Sequence, residues 1–549
     1  MVLATTAFVV VVPVAAPATV HAAPPSQRVY MVTDSVGLGA KDAVPAAFPA
    51  DWQVTVDGTP ALFVEQLESK HVRPQMAGNP GVFGDYAVVA GGYNYPYWDP
   101  ARFDRSVDSI IKAFEEAGVK YIFWVTLRDV KPEYITAAAW NQVQPYYWYF
   151  PEVNQHLRAA VARHANLSLV DWAAIADRPD LTYDAIHLNT SGAAQYAANI
   201  ARVVMSAATR LAAGSTTTVE VAGVGQIPAD ATAVSLNLTV TNPRSPGFLT
   251  AYPCDEDRPL ASNVNFTSDN TVAGAAIVPL AADGSVCVYT NADTHLIVDV
   301  MGSFSGADAY IRAGPKRLTD TRELGQAGLV AHNPLRVQLP ASVADAAVIL
   351  NVTAVSGPSA GFVTAYRCGD PVPATSNVNF PAFGIVPNLV IAQPDAGGEV
   401  CLFTNQPTHL VVDLFGGLAA GAVTLQTPNR LVDTRGTGGR LAARSVVTAA
   451  TGAPSGTNGV LLNVTTTQPD NSGYLTAFPC LAAMPPTSNL NVVPQQTVAN
   501  FATVRPDPAG NICVFTYSSA QVIVDEMGTI GPAFTGLAVP SRAFDSRGV

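Results

Sequence analysis

"MVTDSVGLG", Met31 to Gly39, decides how the first part of this chain reads. An apolar run from Arg28 to Val32 stops at Asp34-Ser35 and passes into small residues with two glycines. An Asp-Ser pair in such a place either caps a helix or aims a serine out of a strand end. The surroundings choose between the two. "RVYMV", "WQVTV", "YAVVAGG", "KYIFWVTL" and "LSLVDW" are short, apolar and rich in β-formers, as buried parallel strands are. Between them, "ARFDRSVDSIIKAFEEAG" sets Phe103, Val107, Ile110, Ile111 and Phe114 at helical spacing, with Gly118 as a stop. "SGAAQYAANIARVVMSAATRL" reads as a last helix opening at Ser191. Strands joined by helices predict an α/β unit over residues 28–213, an open and mostly parallel sheet with helices on both faces.

Ser35 follows the first strand, at a carboxyl end, where open α/β sheets place their sites. A nucleophilic serine needs a general base, a group that orients the base, and donors for the developing oxyanion. "YDAIHLNTSGAAQYA" offers His187 as the base. Asp184 lies three residues earlier, close enough in a turn to accept from one ring nitrogen while the other faces Ser35. "YAVVAGGYN" delivers Asn94 just past a strand as an amide donor, and "WQVTVDG" ends at Gly58, whose N–H can approach a ligand closely. Gly78, Gly81 and Gly84 compete with Gly58 but sit in a loop, not directly after a strand. Two aromatic stretches, "YNYPYWDP" and "WNQVQPYYWYFPE", read as loops on the same edge. They suit stacking on sugar rings or acyl chains and packing against the sheet equally well.

The set Asp34-Ser35, Gly58, Gly92-Tyr93-Asn94 and Asp184-Ala185-Ile186-His187-Leu188 resembles the SGNH (GDSL) hydrolase superfamily over residues 28–213. The resemblance implies a flavodoxin-like three-layer domain with a parallel sheet. It implies Ser35 as nucleophile and oxyanion donor, Gly58 and Asn94 as the other oxyanion donors, and an Asp184–His187 pair that activates the serine. The chain departs from the family in two places. Thr33 stands where a glycine usually precedes Asp-Ser, and Tyr95 where an aspartate commonly follows the asparagine.

After Gly214 the helical patterns vanish and a threefold repeat begins. "LNLTVTNPRSPGFLTAYPC" returns as "LNVTAVSGPSAGFVTAYRC" and "LNVTTTQPDNSGYLTAFPC", and "THLIVDV" returns as "THLVVDL" and "AQVIVDE". "LTDTR", "LVDTR" and "AFDSR" complete the set. The six cysteines keep the register as Cys254/Cys287, Cys368/Cys401 and Cys480/Cys513, each pair 33 residues apart. Each copy must solve the same local problem, so repetition selects these three disulfides. Two cysteines per copy without a recurring histidine pair are too few for a zinc site. No Asp-Thr-Arg precedes the first copy, so the motif is read as closing a module. This places three all-β, sandwich-like modules at 215–324, 325–437 and 438–549. The modules resemble repeats appended to exported proteins of high-GC Gram-positive (actinobacterial) bacteria. "NLT" at Asn237 and "NVT" at Asn351 and Asn463 fit a glycosylation pattern, but inside strands a structural asparagine reads better.

With 549 residues, 48% hydrophobic and 13% charged, the chain is globular and multidomain. A net charge of −12 argues against nucleic acid or anionic lipid as a partner. "MVLATTAFVVVVPVAAPATVHAAPPSQ" reads as a signal peptide over 1–23, cleaved near Ala22 or Ala23. Pro13, Pro17 and the short apolar core disfavour a spanning helix, so no stable membrane insertion is expected. The expectation is a secreted serine esterase, with a cell-wall association allowed by the modules. It would act through an acyl-enzyme with no metal or cofactor, on O-acyl groups of carbohydrate or cell-envelope substrates, with lipid esters next. The modules would take a cell-envelope ligand. The alternatives are an O-acyltransferase using the same triad, or a non-catalytic surface adhesin.

Overall fold

The computed structural model describes residues 27–547 apart from 96–98, 135–136, 165, 307–308, 324–327 and 437. The signal peptide expected at 1–23 and part of the "YNYPYWDP" stretch lie outside the described residues. Two compact units follow one another, one through Ala208 and one from Thr209 onward.

In the first unit, β1 (Arg28–Thr33), β2 (Gln53–Gly58), β3 (Tyr86–Ala90), β4 (Tyr121–Val125) and β5 (Leu167–Val170) form one parallel sheet. Its order is β2-β1-β3-β4-β5. β3 is buried along its whole length and β1 everywhere but Arg28, which is why both read as unbroken apolar runs. The helices include α1 (Ser35–Leu38), α2 (Pro100–Glu116), α3 (Tyr146–Arg163) and α4 (Thr190–Ala208). The five apolar residues picked out on α2 are all fully buried, and the result is the three-layer α/β arrangement expected. The strand order reverses at β1, between β2 and β3, so the loop after β1 opens at a topological switch point. One expectation is corrected. "WNQVQPYYWYFPE" is not a loop but belongs to the helices Ala137–Val143 and α3. Pro145 sits just before the first turn of α3, where a missing N–H costs nothing, and Tyr146 stacks on Phe150 one turn on.

The second unit holds three sandwiches, each of two four-stranded antiparallel sheets. Cys254–Cys287, Cys368–Cys401 and Cys480–Cys513 are bonded as the repeat predicts, with Cα separations of 4.9, 5.0 and 4.8 Å. The strand pairing, however, divides the repeat differently from its spacing. The strand Tyr310–Asp320 pairs forward with Thr408–Leu418, and Val423–Asp433 pairs forward with Gln521–Ile530. The last strand, Phe534–Asp545, returns to pair with His295–Ser305 of the first copy. Each Asp-Thr-Arg strand therefore begins the sandwich after it, and the final one closes a ring. A buried carboxylate enforces this pairing. Asp413, Asp525 and Asp299 are each 1% exposed and bind Arg317, Arg430 and Arg542 at 2.7, 2.8 and 2.9 Å. The hydroxyls of Thr321, Thr434 and Ser546 meet His409, Gln521 and His295, which makes the two recurring histidines structural.

Alternation along Ala231–Thr241 shows how a strand is buried on both faces without charged side chains. Val234, Leu236, Leu238 and Val240 fill their own sandwich, while Ser235, Asn237 and Thr239 face neighbouring copies and are also buried. Asn237, Asn351 and Asn463 donate to the carbonyls of Ser488, Ser262 and Ser376 at 2.7, 2.6 and 2.7 Å, each in another copy. Uncharged polar side chains satisfy such contacts without the cost of burying a lysine or glutamate. Ile277, Phe304, Ile349, Phe415, Leu461 and Phe534 belong to a core shared by all three copies.

Candidate active site

β1 ends as its opening sequence suggests. Asp34 caps α1 by accepting from the Val36 N–H at 3.1 Å, so the capping reading of Asp34-Ser35 holds. Ser35 is the first helical residue and half-buried. Thr33, where the resembled family has glycine, is fully buried and donates its hydroxyl to the Ala90 carbonyl at 2.9 Å, fastening β1 to β3.

The partner of Ser35 arrives on a small hairpin before α4. Thr182 and Leu188 bridge, and the Tyr183 N–H donates to the His187 carbonyl. Inside this turn, Asp184 Oδ1 accepts from the N–H groups of Ile186 at 3.0 Å and His187 at 2.6 Å, while Oδ2 lies 2.7 Å from His187 Nδ1. His187 Nε2 lies 3.1 Å from Ser35 Oγ, across 152 residues of sequence. The hydrogen bond to Asp184 holds the imidazole above its ordinary range. Burial alone would raise Asp184, but hydrogen bonds from the His187 ring and the two backbone N–H groups bring it below the usual carboxylate value. A serine hydroxyl, an imidazole with raised affinity for its proton and a carboxylate held in its ionised form are thus hydrogen-bonded in series, an arrangement that can remove a hydroxyl proton as the oxygen attacks.

Asn94 stands beside this line. Its Nδ2 donates to Asp34 Oδ2 at 3.1 Å and to the Leu62 carbonyl at 3.3 Å. Asp34, which the sequence marks only as half of Asp-Ser, is fully buried, and burial pushes its carboxyl up to about 7 against hydrogen bonds from Val36, Tyr93 and Gly92. Gly58 is the Cα partner of Thr33 across the sheet, and a Cβ there would come 2.1 Å from the Thr33 carbonyl oxygen. No other residue fits. Of the competing glycines, Gly84 lies against Arg28 at the opposite end of β1, and a Cβ at Gly78 or Gly81 would meet no other part of the fold within 4 Å.

Tyr93, Tyr95, Tyr149 and Phe150 are buried and bond one another's backbone and rings, so most of the aromatic material there is packing. Tyr147 and Trp148 remain exposed. The sequence reading missed Tyr183, 71% exposed and stacked on His187 with ring centroids 5.8 Å apart. Its position directly before Asp184 was the available signal.

No protein-family model matches the chain, and no curated protein matches its sequence. Among solved structures, it is similar to the C-terminal catalytic domain of Streptococcus pneumoniae peptidoglycan O-acetyltransferase A. The two are 19% identical, the match covers 32% of this chain and 91% of that one, and the TM-score is 0.25. It is also similar to a GDSL-like lipase from Bacteroides thetaiotaomicron, at 12% identity over 33% of this chain and 91% of that one with a TM-score of 0.28. A carbohydrate esterase of family 3 from Talaromyces cellulolyticus matches at 12% identity, 33% and 96% coverage and a TM-score of 0.25.

Proposed function

We propose that the first unit is a serine acyl-ester hydrolase working through an acyl-enzyme. One observation carries this reading: His187 Nε2 lies 3.1 Å from Ser35 Oγ while Nδ1 lies 2.7 Å from Asp184, at the carboxyl end of β1. In the proposed step, Ser35 Oγ bonds to the ester carbonyl carbon as His187 takes its proton. The tetrahedral oxyanion is met by the N–H of Ser35, by a donor from Gly58 and by the Asn94 amide, which releases its longer bond to the Leu62 carbonyl to do so. The proton then passes to the leaving alcohol, and water resolves the acyl-enzyme by the same route. A sugar hydroxyl in place of that water would make the same triad an O-acyltransferase. The preferred substrates are O-acyl groups on carbohydrate or cell-envelope material, with lipid esters next. Three disulfides fit an oxidising compartment and support export. The ring of β modules is proposed to hold the enzyme at an envelope ligand.

The test is labelling of the full chain with a serine-reactive fluorophosphonate, together with hydrolysis of a short soluble ester. Label should map to Ser35. Ser35→Ala should abolish both signals, since removing a triad nucleophile costs several orders of magnitude in rate. Retention of more than about a tenth of the esterase rate would refute the assignment.

A further inference from the structure

Arg128 is 1% exposed, and it is the one arginine among the described residues that is so deeply buried. Its guanidinium does not pair with a carboxylate. Nε donates to the Ala176 carbonyl at 2.8 Å, Nη2 to the Arg178 carbonyl at 2.6 Å, and Nη1 to the Ala185 carbonyl at 2.7 Å and Thr182 Oγ1 at 3.1 Å. All four acceptors lie on the segment that leads into and forms the Asp184–His187 hairpin. The Tyr134 ring covers the guanidinium at 4.2 Å, and Tyr134 and Lys131 both bond Asp177 on the same segment.

The base of this fork is itself fixed. Asn154 on α3 bonds both the N–H and the carbonyl of Leu127, at 2.8 and 2.7 Å, and the Arg128 N–H donates to Tyr93 Oη at 3.2 Å. At its tip the fork holds Ala185, a non-glycine residue at φ +69° and fully buried, between Asp184 and His187. A left-handed alanine persists only where its surroundings over-determine it. Burying a guanidinium is costly, and an apolar side chain would serve packing better. What an apolar side chain cannot do is fix four oxygens of one loop at set positions, which a rigid planar fork of donors does.

We propose that Arg128 is a positioning residue that sets the placement of Asp184 and His187 relative to Ser35. This rests on the triad reading above. Arg128 touches neither Ser35 nor His187 and takes no part in proton transfer. It acts by pinning the carbonyls on either side of the hairpin, so that the imidazole stays within reach of both Oγ and the carboxylate. Misplacement of a reacting group by about 1 Å costs roughly 100-fold in rate.

The experiment uses the full chain with Arg128→Lys, whose single ammonium can reach only part of the four-oxygen set. Two quantities are read: kcat and KM on a short p-nitrophenyl ester, and the His187 imidazole titration by NMR, assigned with His187→Gln. The charged groups around that ring are Asp184 and Asp34, and Arg128→Lys leaves both in place. The expected result is a 10- to 100-fold loss in kcat, KM within twofold, and a His187 titration moved down toward the ordinary imidazole value as Asp184 slackens. A folded Arg128→Lys protein with kcat within twofold and an unmoved titration would overturn the proposal. If Arg128→Lys does not melt like the parent, Thr182→Val decides. It removes one acceptor of the fork, and it should lower kcat severalfold and move the titration the same way, whereas no change in either overturns the proposal. Should the parent chain neither label nor hydrolyse, the triad reading fails separately, and the titration still judges Arg128.

Discussion

Replacing Asp184 by asparagine isolates one atom of the proposed site. Asp184 does two things with its two oxygens: Oδ1 caps the hairpin through the Ile186 and His187 N–H groups, and Oδ2 accepts from His187 Nδ1. An amide can keep the first role only by placing its oxygen at the Oδ1 position, because two N–H donors converge there. Its NH2 is then forced against Nδ1 at about hydrogen-bond distance. That contact favours the imidazole tautomer with its proton on Nε2, facing Ser35, which cannot accept the serine proton. The fold and hairpin should survive, while the base is held in the wrong state. The expected loss in kcat is 10³- to 10⁴-fold, about 4–5.5 kcal/mol of transition-state stabilisation, with KM little changed. The residual activity should also shift along the pH axis. In the parent, the Asp184 hydrogen bond raises the His187 value, so activity rises with pH as the protonated ring gives up its proton. Without the carboxylate that rise should begin at lower pH. The assay is initial rates on a soluble short-chain ester from pH 5 to 9, paired with a melting curve. A variant that melts like the parent and keeps more than about a tenth of its kcat would refute the tautomer argument and, with it, the role of Asp184.

Two further outcomes are expected. Asn94→Ala should lower kcat roughly 100- to 1000-fold with KM nearly constant, as loss of an oxyanion donor does, and an effect confined to KM would assign Asn94 to substrate binding. Arg542→Ala should destabilise the β ring by about 2–4 kcal/mol, because it strands a buried carboxylate, and Arg317→Ala and Arg430→Ala should match it in thermal unfolding of the full chain. A silent Arg542→Ala beside two damaging counterparts would mean that the last strand does not close the ring.

Much of this was legible in the sequence because it depends on local pattern. A run of β-branched and apolar residues buried on both sides marks a parallel strand wherever it occurs, the positions of Ser35, Gly58 and Asn94 follow from where those runs stop, and the His187 turn is marked by its own Asp-x-x-His pattern. The cysteine pairs were legible for a different reason, since three copies at one spacing leave one connectivity that repeats. The aromatic helices are not legible as helices, since Pro145 and Pro151 interrupt the stretch, and it is the packing of Tyr149 and Phe150 into the core that outweighs that interruption.

Tertiary structure alone decided the rest. Sequence spacing could not show that each Asp-Thr-Arg strand pairs forward and the last one returns to the first copy, because a strand's partner is chosen by the buried aspartate it must neutralise, up to 243 residues away. Nor could alternation show that the polar faces of the module strands are dry. Ser235, Asn237 and Thr239 look like a solvated face until neighbouring copies cover them. The same holds at the proposed site. "YDAIH" specifies a turn that joins Asp184 to His187, but the 3.1 Å approach to Ser35 and the grip of Arg128 on the turn come from distant segments. Local sequence fixes dihedral preferences and periodicity over a few residues, whereas burial of a charge or a strand edge depends on what the completed fold brings alongside.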